Sequence, residues 1–191
     1  MAASIARKKA FGIGLTDAVA VLFILGVPAL SHLTSVPFYL LDPMRLAVLG
    51  ALLASRSRVN GLVLAVALPL VSFAISGHPV FPKCLVIAAE LSVNVLLFSW
   101  LVKAFTARIS SRSGDGAAGH LTGGAAPVRI GLAAFISILL SKAFYYGLKA
   151  LVLGAGLMQM ELVSTALWVQ LVVAVMISVL FALWWNRHSG R

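Results

Sequence analysis

Charge is scarce in this chain. Asp, Glu, Lys and Arg together make up 10% of its 191 residues, and 5 of them are acidic, whereas a soluble domain carries about a quarter. Cysteine is nearly absent too: Cys84 stands alone and excludes an internal disulfide, and no second Cys or His lies near it at metal-ligand spacing. Catalytic groupings are also missing. His32 and His78 fall in connections and His120 and His188 in tails, none with an acidic partner by spacing, and there are no paired aspartates or Ser/Cys nucleophile beside a His. We therefore expect no enzyme activity, no catalytic residues, no metal and no cofactor. The glycine-rich stretch "ISSRSGDGAAGHLTGGAAP" lacks a Gly-Lys-Ser/Thr and joins two apolar segments, so it excludes a phosphate-cradling loop.

What the chain has is apolar surface. At 61% hydrophobic residues and a mean hydropathy of +1.05, it holds far more than a soluble core of this size can hide, and the composition predicts an all-α, polytopic membrane protein forming a single domain over residues 1–191. The net charge of +10 does not point to nucleic acid. The basic residues form short clusters between apolar runs, which suits topology signals and contacts with the lipid bilayer.

Length and punctuation mark six segments: about Phe11 to Leu30, Pro43 to Ser55, Gly61 to Ser76, Lys83 to Ala104, Arg129 to Leu153 and Glu161 to Trp185. The second and third fall short of the roughly 20 residues that a straight crossing needs, so they must be shielded by neighbours or flanked by partly embedded loops. The Gly-, Ser- and Ala-rich stretch predicts a flexible linker at about 106–127. Arg7, Lys8, Lys9, Arg56, Arg58, Lys103, Arg108, Arg112, Arg129, Arg187 and Arg191 all fall on one side if there are six crossings, while the connections "SHLTSVPFYLLD", "GHPVFP" and "GAGLMQM" carry no Lys or Arg. The positive-inside bias then puts both termini in the cytoplasm. A cleaved signal peptide at the N-terminus is the alternative, opposed by Asp17 within the apolar run and by the further spans that follow.

Ionisable side chains inside such segments cost a few kcal/mol and usually face a cavity or a partner. Helix four carries Glu90, with Asn94 one turn deeper on the same face. Helix five places Lys142, Tyr145, Tyr146 and Lys149 at helical spacing, and Arg45 opens helix two. Glu161, Thr165, Trp168 and Gln170 begin helix six. All belong to the outer half. Internal ion pairs such as Glu90 with Lys142 that only fix packing are one reading, with Lys149 snorkelling to the interface. The other is the lining of a pocket for a small polar solute, with Lys142 as anion partner and the aromatic rings as stacking surfaces. A non-transport six-helix scaffold or assembly protein also fits the basic face and short spans. An independent secondary transporter fits poorly, since no inverted repeat or paired broken helices appear.

Several short motifs resemble the substrate-binding S-component of energy-coupling factor (ECF) transporters, closest to the pantothenate and hydroxymethylpyrimidine-type group. They are Pro43-Met44, Pro69-Leu70, the Gly77 turn with Pro79, Phe81 and Pro82, Glu90-Leu91, "SKAFYYG", and "WVQLVV" with Gln170. The similarity runs over roughly residues 36 to 180. It departs at Arg45, where relatives often have His, at Ala47 and Ser72, where a second proline and an Arg are common, and at Lys142, where Arg is common. The resemblance implies a six-helix bundle with both termini inside, in a bacterial or archaeal cytoplasmic membrane. It also implies a vitamin-like small-molecule substrate bound near the outer face. As partners it implies a transmembrane coupling subunit and two ABC ATPase subunits, with helix one docking through small residues such as Gly14 and Ala18.

Overall fold

The computed structural model describes residues 2–35, 38–77, 79–110, 125–157 and 166–189. Among them the fold is six α-helices: α1 Ala2–Thr34, α2 Pro43–Ser55, α3 Arg58–Ser76, α4 Phe81–Ser110, α5 Ala125–Gly154 and α6 Leu167–Ser189, with a short 3-10 helix, Phe38–Leu41, leading into α2. Five of the helices, all but α2, are long and apolar enough to cross a membrane, as a multi-pass membrane protein requires.

The boundaries follow local chemistry. The second segment begins and ends where the sequence puts it, since Pro43 supplies the fixed φ favoured at a first helical position. Helix α3 is longer than the apolar run suggests. Ser57 caps it by accepting from the Asn60 backbone N–H at 3.3 Å, so the helix starts at Arg58, not Gly61. Its 19 residues rise about 28 Å, near the ~30 Å of a hydrocarbon layer. At its far end Gly77 adopts φ +68°, a left-handed cap open to glycine, and its N–H donates to the Phe73 carbonyl at 2.8 Å. Helix α1 runs four residues past Leu30, to Thr34. Helices α4 and α5 reach Ser110 and Ala125. Both ends of the expected linker are therefore helical, and residues 111–124 lie outside the described part.

Helices α3 to α6 pack in chain order, each mainly against the next, while α1 lies against α2, α3 and the 3-10 helix. The short α2 touches α1, α3 and α4, which is the shielding its 13 residues require. Leu49, Ala65, Val95, Ala133, Ala134 and Ile177 form the centre of the core. Small residues bring helices close: a Cβ on Gly131 of α5 would stand 3.1 Å from the Ser178 carbonyl oxygen of α6. Asp17, the acid interrupting the first apolar run, accepts a hydrogen bond from Asn60 Nδ2 of α3 at 2.8 Å. Leucines, valines and Trp100 cover much of the outer surface, including Leu22, Val63, Leu132 and Val175. In water so apolar an exterior would be a liability, and in lipid it is the expected solvent-facing surface.

Candidate functional site

A cavity of about 520 Å3 opens at one end of the bundle. The start of α2 (Asp42 to Arg45), the start of α4 (Lys83, Ile87, Glu90) and the late turns of α5 (Lys142, Tyr145, Tyr146) supply its polar wall, and α6 adds Gln170. Apolar residues of α1, α5 and α6, among them Ile24, Val27, Ile138 and Ile177, complete it. The basic residues Arg56, Arg58, Lys103, Arg129 and Arg187 belong to the opposite helix ends.

Four charged groups interlock in the wall. Glu90 Oε1 takes both the Arg45 guanidinium and the Lys142 ammonium, the latter at 3.1 Å. Asp42 Oδ2 lies 3.3 Å from Lys142 Nζ and 3.4 Å from Arg45 Nε. Arg45 is 1% exposed, and burial on this scale is tolerable for a guanidinium only with carboxylates close by. The backbone helps to set this up. Asp42 sits at φ 50°, ψ 57°, a left-handed conformation that Asp tolerates better than most residues, and its carbonyl accepts from the Arg45 and Leu46 N–H groups at 3.0 and 3.2 Å. Its carboxylate makes no capping bond and is turned over to the two cations. Desolvation pushes the Asp42 pKa up, but the Arg45 and Lys142 charges outweigh it and hold the carboxyl below its ordinary value.

The aromatic part of the wall is equally ordered. Tyr145 and Tyr146 meet edge to face, with centroids 5.4 Å apart at 76°, and Gln170 Nε2 donates to the Tyr146 hydroxyl. Lys142 Nζ stands 5.4 Å from the Tyr145 ring centroid and Lys149 Nζ 5.9 Å from it, within cation–π range.

The structure thus gathers Arg45, Glu90, Lys142, Tyr145, Tyr146 and Gln170 around one cavity, and the other expected residues lie elsewhere. Asn94 is fully buried between α4 and α5, where Nδ2 donates to Ser141 Oγ at 3.2 Å and Ser137 Oγ at 3.4 Å. One turn below Glu90 the two helices already pack directly, so Asn94 reaches a neighbour helix in place of the cavity. Trp168 is 69% exposed; two residues before Gln170, it is turned about 200° around α6, onto the outer side. Lys149 is 1% exposed and so does not snorkel to a surface. It sits about 10 Å further along α5 than Lys142, against the Tyr145 ring. Glu161 and Thr165 lie outside the described residues. Gly14 and Ala18 are exposed on α1, and a Cβ at Gly14 would meet nothing within 4 Å.

Sequence reasoning missed Asp42 and Lys83 as cavity residues. Asp42 carries a readable signal, an acid three residues before a base across a helix start. Lys83 follows Pro82 at the opening of α4 and reads there as a mere segment boundary. No family model, curated protein or solved structure matches the chain.

Proposed function

We propose that the protein is the substrate-binding membrane subunit of an ECF-type ABC importer, capturing a vitamin or related small polar micronutrient at the outer face. The observation that carries this reading is the cavity itself. Polar and aromatic side chains from five helices, α2 to α6, converge at the bundle end opposite most of the basic residues, and a cavity of this size falls within the range of small-molecule sites. Six crossings, with α2 as a short embedded element, leave both termini on the basic and therefore cytoplasmic side. The exposed small residues of α1, Gly14 and Ala18, then offer close approach to a transmembrane coupling subunit, and energy comes from two ABC ATPase subunits, the chain having no nucleotide loop of its own.

One observation favours a second reading. Asp42, Arg45, Glu90 and Lys142 satisfy one another, two acids against two bases, as a packing lock in a non-transport membrane scaffold would. Thermal unfolding of the purified protein against a vitamin panel separates the two. Capture predicts that at least one compound raises the melting temperature and that a coupling subunit co-purifies from the native membrane. Failure of both leaves the scaffold reading standing.

A further inference from the structure

Among the described residues, the charges lining the cavity do not cancel. Asp42 and Glu90 face Arg45, Lys83 and Lys142, so three cations stand against two anions and one positive charge is left over. The ion-pair geometry says where it resides. Arg45 and Lys142 are both within ion-pair distance of Asp42 and Glu90. Lys83 pairs with neither of them, nor with Asp17, the third acid among the described residues. Lys142 is thus already held by both carboxylates of the wall.

We infer that Lys83 is the counter-ion for the solute, and that the cavity takes a small organic molecule bearing a single carboxylate. This rests on the capture reading above and narrows it to a substrate class. A lone ammonium beside a low-dielectric cavity attracts one negative charge. A carboxylate supplies one, whereas a phosphate monoester brings nearly two at neutral pH and leaves the excess uncompensated beside Glu90. The rest of the molecule meets Ile24, Val27, Ile87 and Ile138 with the Tyr146 ring, surfaces suited to an apolar or ring-bearing body. A cationic solute would be repelled by Lys83.

The test is calorimetric titration of the full-length protein in nanodiscs with matched acid and neutral probes: nicotinate and nicotinamide, pantothenate and pantothenol, biotin and biotinamide, lipoate and lipoamide. In at least one pair the acid should bind ten times more tightly or better than its neutral partner. Lys83→Gln should bring that ratio close to one, and Lys83→Arg should retain most of it. Equal binding of acid and neutral forms, tight binding of cationic thiamine, or an acid preference that survives Lys83→Gln and vanishes in Lys142→Gln would overturn the inference while leaving solute capture intact. If no probe of either kind binds, the capture reading falls and the inference with it.

Discussion

Lys142 Nζ on α5 lies 3.1 Å from Glu90 Oε1 on α4, the same oxygen that takes the Arg45 guanidinium of α2. One buried carboxylate oxygen therefore ties three helices together. Losing it would leave Arg45 and Lys142 facing each other with Asp42 alone as their shared anion.

Glu90→Gln keeps the shape and removes the charge. Breaking a buried pair from one side generally costs about 3 kcal/mol or more, and we expect a loss of that order in chemical unfolding of the detergent-solubilised protein. Lys142→Met should cost less, because that side chain is 26% exposed and Arg45 still satisfies Glu90.

Asp42 combines a charge with a left-handed backbone, and two substitutions separate them. Asp42→Asn keeps the tolerance for φ 50° and removes the charge, for an expected loss of about 1 kcal/mol at a site that is a quarter exposed. Asp42→Ala adds roughly 1 kcal/mol of backbone strain. The folded carboxyl is held below its ordinary 3.8, so its contribution is complete above that value and is lost as pH falls through the lower folded one. The gap between the parent and the Asn variant should stay flat from neutral pH down to about pH 5 and close in stronger acid.

Asn94→Leu separates packing from binding. Interhelical hydrogen bonds inside membranes are worth about 0.6 kcal/mol on average, and both serine hydroxyls already donate to their own helix carbonyls, at 2.9 and 3.0 Å. The variant should lose about 1 kcal/mol or less in unfolding and leave solute affinity unchanged in titration. A large loss of affinity would place Asn94 in the site after all.

Gly131→Leu tests the α5–α6 contact. With the Ser178 carbonyl oxygen 3.1 Å and Ala182 Cβ 3.2 Å from a bare Cβ, a longer side chain has to push the helices apart. We expect a loss of about 2 kcal/mol, in the range of overpacked cores, and a lower melting temperature. The same substitution at Gly147, where a Cβ meets nothing within 4 Å, should be close to neutral.

Much of this architecture was legible in the residues. Apolar runs interrupted by Pro43, Gly77 and the Gly-rich stretch determined six helices in the order observed, because backbone polar groups in an apolar solvent have few alternatives to helix. The exact reach of α3 and α1 was not legible, since it depends on a cap at Ser57 and on polar residues such as Asn60 that find a partner only across the bundle. Glu90 and Lys142 also advertised themselves, as charges are expensive where they stand. Which polar residues face the same space was decided by tertiary structure alone. Four residues along a helix keep a face but drop a full turn, and that drop sends Asn94 into the α4–α5 contact; two residues reverse the face, and that turn puts Trp168 outside while Gln170 points in. Asp42 and Lys83 enter the cavity because α2 and α4 both begin at its rim, a juxtaposition that 40 intervening positions of sequence do not encode locally. The sequence by itself determined that charged groups had to be hidden and paired. The packing of the helices decided which pairs formed, because ion-pair partners are set by distances of 3 to 4 Å between elements far apart in the chain, and of the three described cations lining the cavity it left Lys83 as the one that no described carboxylate meets.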